Sequence, residues 1–297
     1  MPISELELES MSSIGAQVTS KETYSTIRGV LEDRNAAYQS KATKIFLQGS
    51  YANDTNVIGE SDVDIIIRLD SAFTYDLSLI SDNQKNKFQA AFPISAAYKY
   101  SDFRGDVVNL LIARFDSEVV IGSKAIQISP KGNRRKADVL VAIKHRKYFS
   151  FDPMKPDDYL EGISFYKKDG THIVNFPQLH KDYLVEKNKR TLGMLKHVIR
   201  IFKNLRKKLV EQKIINIGSA PSYFIEGMLS NVPDELFNTS TYTEAVINCI
   251  DWLKRVDSSK LFCANMQHRL INGGADISWN KREFEEFIFG AAHVLFK

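Results

Sequence analysis

Residues 62–69 read Asp-Val-Asp-Ile-Ile-Ile-Arg-Leu, an apolar, β-branched run that predicts a strand with two acids at its head. Side chains alternate across a strand, so Asp62 and Asp64 fall side by side on one face. Like charges placed there repel, and the positions around them (Val63, Ile65, Ile66, Ile67) are apolar. A divalent cation resolves that conflict. Magnesium takes hard oxygen ligands, a few carboxylates completed by phosphate oxygens and water.

A third acid is expected from a neighbouring strand, and Ala137-Asp138-Val139-Leu140-Val141-Ala142 supplies one. An unpaired acid in such a run is costly to bury, which points Asp138 towards a cation. The plainer alternative is an edge acid facing water or pairing with Arg135 or Lys136. Upstream, Gly49-Ser50-Tyr51 precedes the Asp62-Val63-Asp64 element by eleven residues. Gly49 has no side chain, so phosphate oxygens can approach its backbone, and the N–H groups of a helix-opening turn together with the Ser50 hydroxyl can cradle a triphosphate. Taken alone, a Gly-Ser pair is also an ordinary strand-ending turn. The signal lies in the combination.

Strands are expected at 43–49, 62–69, 106–115, 125–129 and 137–143, with helices from a Thr19–Glu22 capping box and over 76–92. The second half changes to helical periodicity: a long amphipathic helix over 187–210, then helices at 221–230, 241–255, 257–270 and 281–296. Phe151 to Pro156 carries two prolines and reads as a crossing between lobes. The expected class is α+β, a sheet lobe over 1–155 with N-terminal helices and a helical lobe over 156–297. The formal charge of +4 suits a phosphate-bearing partner without requiring one. Cys249 and Cys263 are too few and too far apart for a disulfide framework or a zinc site. The acidic start MPISELELES lacks the features of a signal peptide, and no apolar run approaches the ~20 residues that cross a bilayer. A cytoplasmic location without membrane attachment is the expectation.

Gly49-Ser50, Asp62-x-Asp64 and a later Asp138 resemble the signature of the DNA polymerase β nucleotidyltransferase superfamily. The segments 162–206 and 221–233 (PSYFIEGMLSNVP) are similar to the bacterial cGAS/DncV-like nucleotidyltransferases, or CD-NTases, and within them to the clade E enzymes. The resemblance runs from about residue 20 to 235. It implies an enzyme that joins nucleoside triphosphates into a cyclic di- or trinucleotide and releases pyrophosphate. The product would be read by an effector protein in antiphage signalling (CBASS). Two magnesium ions, replaceable by manganese, would be held by Asp62, Asp64 and Asp138.

By the same resemblance, Lys196 grips donor phosphates, Ser222 contacts the triphosphate and Tyr223 stacks on a base. Asn175 reads a pyrimidine edge and so makes UTP one substrate. Each has a plainer alternative: Lys196 on a solvated lysine-rich face, Tyr223 as a core aromatic, Asn175 as a turn residue ahead of Pro177. The basic run Lys131, Arg134, Arg135, Lys136, Lys144, His145, Arg146 and Lys147 reads mostly as solvated surface, partly facing phosphates. His172, His180 and His197 lack metal-ligand spacing. With no aromatic–basic stripe and no zinc-finger spacing, no DNA activator is expected, and monomer is the default. A superfamily enzyme acting on another acceptor (an RNA end, a small molecule or a protein) shares the same acids, and a non-catalytic nucleotide binder is a further alternative.

Overall fold

The computed structural model of the chain describes residues 2–15, 17–59, 62–155, 158–271 and 277–296. In chain order its first elements are α1 (Glu5–Ser12), α2 (Val18–Leu31), β1 (Thr43–Leu47), α3 (Gly49–Ala52), β2 (Val63–Asp76), α4 (Asp82–Ala91) and α5 (Tyr100–Phe115). The short strands β3 (Val119–Ile121) and β4 (Ile126–Ile128) follow, then β5 (Ala137–Tyr148), β6 (Tyr159–Tyr166) and β7 (His172–Asn175). The remaining helices are α6 (Pro177–Arg190), α7 (Met194–Glu211), α8 (Ser222–Asn231), α9 (Tyr242–Arg255) and α10 (Lys281–Phe296). No helix among the described residues is long and apolar enough to cross a membrane.

These elements form two compact units whose segments alternate along the sequence. One contains Val18–Gln48 and Asp62–Pro177, the other Met1–Gln17, Gly49–Ser61 and Gln178–Lys297. This differs from a single cut near residue 155: β6 and β7 stay with the sheet, while the stretch after β1 belongs with the helices. Of the stretch Phe151 to Pro156, Pro156 lies outside the described residues; Phe151 to Lys155 is a turn inside the sheet unit, closed by a bridge between Asp152 and Lys155.

In the sheet unit β1 pairs antiparallel with β2, β2 parallel with β5, and β5 antiparallel with both β4 and β6. Valine and isoleucine dominate the alternate positions of β2 and β5. Val63, Ile65, Ile67 and Leu69 join Val139, Val141 and Ile143 in a core with Ile27 and Leu31 of α2 and Phe103, Val107 and Leu111 of α5. The intervening positions of both strands, starting with Asp64 and Asp138, occupy the opposite face.

Residues 100–115 form α5 rather than the strand expected over 106–115. The apolar cluster Val107, Val108, Leu110, Leu111, Ile112 looks like a strand locally, yet Phe103, Val107, Leu111 and Phe115 are buried at helical spacing. β2 extends to Asp76, and α4 begins only at Asp82, where Ser81 forms a capping box with Gln84. Thr19 lies inside α2. Its carbonyl accepts from the Thr23 hydroxyl, and its own hydroxyl accepts from Arg135 at 3.3 Å, so it does not act as the expected cap.

The helical unit builds its core around α7, whose Leu195, Val198, Ile199, Phe202, Leu205 and Leu209 are fully buried with residues of α8, α9 and α10. The single helix expected over 187–210 is two. Leu192 and Gly193 take φ of 50° and 92°, which end α6 and let α7 start in a new direction. The stretch 257–270 is irregular: a 3-10 turn at Ser258–Lys260 and a bridge from Phe262 to Arg269. The helices expected at 221–230, 241–255 and 281–296 are present.

Gly162 fixes how β7 meets β6. A Cβ at this position would lie 2.8 Å from the Asn175 carbonyl oxygen and 2.8 Å from the Phe176 ring, so backbone would have to move. Gly162→Ala is expected to cost about 1–3 kcal/mol by forcing β7 away, read as a lowered Tm; an unchanged Tm would show that this edge yields freely.

Candidate active site

The parallel register of β2 and β5 sets Asp64 directly beside Asp138, and the antiparallel register of β4 sets Gln127 on the other side of Asp138. Paired residues of neighbouring strands share a face, so these three polar side chains stand in one row. Asp62 lies just ahead of β2, and Val63 N donates to the Lys136 carbonyl at 3.0 Å. That pairing brings Lys136 alongside Asp62, and Lys136 Nζ lies 2.7 Å from Asp62 Oδ2.

Charge and burial compete here. Burial raises the Asp138 pKa above the ordinary carboxylate value and the Asp62 charge adds to it, with the Lys136 charge and a hydrogen bond from Gln127 acting in the other direction. The Lys136 pKa is raised, first by its hydrogen bond to Asp62 and further by the charges of Asp138, Asp62 and Asp64, against desolvation. Asp138 Oδ1 is buried with no hydrogen-bond partner among the described residues. An orphaned carboxylate oxygen next to a second carboxylate is a fitting donor set for a hard cation. Among the described residues no three His, Cys, Asp or Glu side chains already converge as a metal cage, and Asp62 is turned to Lys136.

Further along the same face, Arg68 is buried and bound by Asp70 at 2.5 Å and Glu161 at 2.8 Å. Lys144 joins them at 3.1 Å from Glu161 and 3.5 Å from Asp70. Two cations and two anions balance, so the sheet carries this ionic cluster without net charge. The register continues from Lys144 through Ile163 to Asn175, which places Asn175 on the face that carries Asp138. The Asn175 side-chain oxygen accepts from the Phe176 N–H at 2.8 Å.

The basic run of the sequence is mostly engaged within the sheet unit rather than solvated. Lys131 and Arg134 hold Glu118, and the backbone N–H of Arg135 donates to the Thr23 hydroxyl. The Arg146 guanidinium lies 4.0 Å from the Phe73 ring centroid. His145 is buried with Nδ1 2.8 Å from the Thr74 hydroxyl.

In the helical unit the segment after β1 turns at Gly49, whose φ of 70° favours glycine, into α3. Asn53 N donates back to the Gly49 carbonyl and Thr55 N to the Ser50 carbonyl at 2.9 Å, which closes the turn. One face of α7 then holds this loop. Lys196 Nζ is 2.9 Å from Asp54, Arg200 Nη1 donates to the Asp54 carbonyl at 2.7 Å, Lys203 Nζ reaches Thr55 at 3.0 Å, and Lys207 donates to the Ile58 carbonyl. Positions 196, 200, 203 and 207 are spaced by one helical turn, so one stripe of cations grips successive loop residues. Lys196 is thus drawn to the Gly49-Ser50 loop rather than left on a solvated face.

Behind the loop lies a buried polar node with no signature in the residue order. Glu226 of α8, 2% exposed, accepts from Lys203 at 2.7 Å, Thr55 at 2.5 Å and Asn53 at 3.0 Å, and lies 2.7 Å from His180 Nε2. Desolvation opposes ionisation, but Lys203 and His180 outweigh it and hold the Glu226 pKa far below the usual carboxylate range. Ser222 accepts from Arg206 at 3.2 Å. Tyr223 stacks on His180 at 4.7 Å between ring centroids, its hydroxyl accepts from Asn265 at 3.0 Å, and burial raises its pKa. One side of the Tyr223 ring is thus packed against His180. His172 stacks on Tyr166, and His197 Nδ1 is 3.0 Å from Arg200. All three histidines thus have structural partners.

A nucleotidyltransferase domain model matches residues 26–128, and a cGAS/DncV-like nucleotidyltransferase C-terminal helical domain model matches residues 182–295. The cyclic nucleotide synthase CdnE01 of Staphylococcus haemolyticus is 36% identical over 295 residues, covering 97% of each chain. The cyclic UMP-AMP synthase of Rhodothermus marinus is 37% identical over 290 residues, covering 97% of this chain and 96% of its own. A solved structure of the Rhodothermus marinus CdnE c-UMP-AMP synthase with Apcpp and Upnpp matches with a TM-score of 0.86 at 34% identity, over 99% of this chain and 96% of that one. The chain belongs to the cGAS/DncV-like nucleotidyltransferase family.

Glu226→Ala leaves the fully buried Lys203 ammonium without its carboxylate. The expected loss is roughly 3–5 kcal/mol in denaturant unfolding, and a loss under about 1 kcal/mol would show that the node is dispensable. His145 supplies a pH test. Burial lowers its pKa from 6.5 to about 4, so protonation favours the unfolded chain. Its contribution is fully present above about pH 6.5 and is lost as pH falls towards 4, roughly 3 kcal/mol at about 1.4 kcal/mol per unit. Unfolding of His145→Gln across that range should show a correspondingly flatter pH dependence. An identical slope would contradict the assignment.

Proposed function

We propose that this chain is a metal-dependent cyclic nucleotide synthase that joins nucleoside triphosphates, UTP among them, into a cyclic dinucleotide or trinucleotide with release of pyrophosphate. The observation that carries this reading is the pairing of Asp64 with Asp138, whose buried Oδ1 lacks a hydrogen-bond partner among the described residues. Support comes from the two nearly full-length relatives named as cyclic nucleotide synthases. Asp64 and Asp138, joined by Asp62 once it leaves Lys136, are the residues that would hold two magnesium ions, with manganese able to substitute. The ions supply charge neutralisation at the phosphates and acidify the acceptor hydroxyl.

The chain's own groups position the reactants. Gly49 and the Ser50 hydroxyl receive triphosphate oxygens, and Lys196 leaves Asp54 to pair with phosphate, exchanging one anion for another. Ser222 and Tyr223 complete the donor side. Asp138 accepts the proton of the attacking ribose hydroxyl, and the leaving group is pyrophosphate. Asn175 offers an amide donor and acceptor to the O4 and N3–H of uracil, consistent with the named product of the Rhodothermus marinus relative. The product would serve as a signal for a downstream effector in antiphage defence, made by a monomer in the cytoplasm without a DNA activator.

The test incubates the protein with all four NTPs and Mg²⁺ or Mn²⁺, then phosphatase, and reads the products by mass spectrometry. A phosphatase-resistant cyclic product containing uridine is expected, falling at least about a hundredfold in Asp64→Asn and Asp138→Asn. A phosphatase-sensitive tail on another acceptor would overturn the cyclase reading. Asn175→Ser should change the order of preference among the NTPs, and an unchanged order would remove Asn175 from base selection.

A further inference from the structure

A cavity of about 910 Å³ opens in the sheet unit, lined by the start of α5, the loop before it, the tip of the β6–β7 hairpin and parts of β2, β3 and β5. Its floor includes Ala72 and Ile143, which belong to the core packed under α2 and α5. The cavity therefore lies on the face of the sheet opposite Asp64 and Asp138. Its volume falls in the range of small-ligand sites.

The chemistry of the lining is one-sided. Its described residues include the cations Lys99, Arg104, Lys167 and Lys168 and no aspartate or glutamate. Arg68, Lys131, Arg134, Lys136 and Lys144 of the same unit each hold a carboxylate. Around the cavity only Lys167 does, with Asp169 at 3.2 Å; Lys99, Arg104 and Lys168 form no ion pair among the described residues. Arg104 interacts with the Tyr100 hydroxyl instead. Three cations without a carboxylate partner at one concavity raise its potential and attract an anion.

The same wall is aromatic. Tyr98, Tyr100 and Tyr166 contribute to it. The Tyr98 hydroxyl is tied to Asp106 at 2.5 Å and the Tyr100 hydroxyl to the Tyr166 carbonyl at 3.3 Å. Tyr100 and Tyr166 rings lie 5.3 Å apart. With their hydroxyls committed, Tyr98 and Tyr100 are held in place, and Tyr166 is backed by the stacked His172 ring, so the wall offers fixed π surfaces suited to stacking a planar ring. A guanidinium such as that of Arg104 can pair bidentately with phosphate and stack on a ring.

We propose that this cavity is a second ligand site, separate from the carboxylate face, that takes a nucleobase bearing a phosphate. Arg104, Lys99 and Lys168 bind the phosphate, and the tyrosine wall stacks the base. The site is independent of the reaction proposed above. Two sources share the chemistry, a free nucleoside monophosphate and a cyclic dinucleotide, and the test separates them.

The full chain is photolabelled with 8-azido-AMP in EDTA, and the modified peptides are identified by mass spectrometry. Saturable labelling is expected within 95–105 and 166–170, and Lys168→Glu should lower it about tenfold. Lys168 is an exposed hairpin residue, so this variant keeps its fold; Arg104→Glu, checked by Tm, should do the same. Competition by unlabelled AMP alone assigns the site to a free nucleotide, and competition by cyclic UMP-AMP assigns it to a cyclic product. Labelling confined to other peptides, no saturable labelling, or labelling unaffected by Lys168→Glu would overturn the proposal.

Discussion

The parallel pairing of β2 with β5 is the constraint on which the rest depends. Parallel strands in one register bring equivalent faces level, so an acid near the start of each strand necessarily meets the other. Asp64 and Asp138 meet in this way, with Gln127 completing the row. Burial of Asp138 on one side and the Lys136–Asp62 ion pair on the other keep the anionic row tolerable without a divalent ion. The apolar residues alternating with the acids anchor both strands under α2 and α5, so core packing also fixes the carboxylate spacing.

The helical unit solves a different problem, holding an irregular loop still. Gly49 supplies a backbone conformation that other residues resist, and the loop that follows is rich in polar residues. Four cations at helical spacing along α7 secure it from outside, and the Glu226 node secures it from within. Charged pairs of this kind add little net stability but penalise alternative loop positions heavily, because each alternative strands a buried charge.

Much of this was legible from residue order. The strand signal of 62–69, the acid at 138 and the turn at Gly49 are local patterns, whereas the register that sets Asp64 beside Asp138 exists only in the paired sheet. Helices at 221–230, 241–255 and 281–296 carried a clear period. The misread stretches share a cause. Residues 106–115 contain enough adjacent apolar side chains to mimic a strand, and only burial of every fourth residue reveals α5. The break at Leu192 and Gly193 interrupts a hydrophobic period that runs on either side of it. The Glu226 node was illegible because its members, at 53, 55, 180, 203 and 226, meet only in the folded chain. Lys136 stands in the basic run, where only the plainer alternative for Asp138 gave it an acid partner; its ion pair is with Asp62.

The central claim is that Asp64 and Asp138 together hold the metal. Equilibrium Mn²⁺ binding, followed by electron paramagnetic resonance with a non-hydrolysable UTP analogue present, tests it directly. The account predicts saturable binding that falls at least about tenfold in affinity, or loses an ion, in Asp138→Asn, with the fold intact by circular dichroism. Wild-type affinity and stoichiometry in that variant would contradict the account.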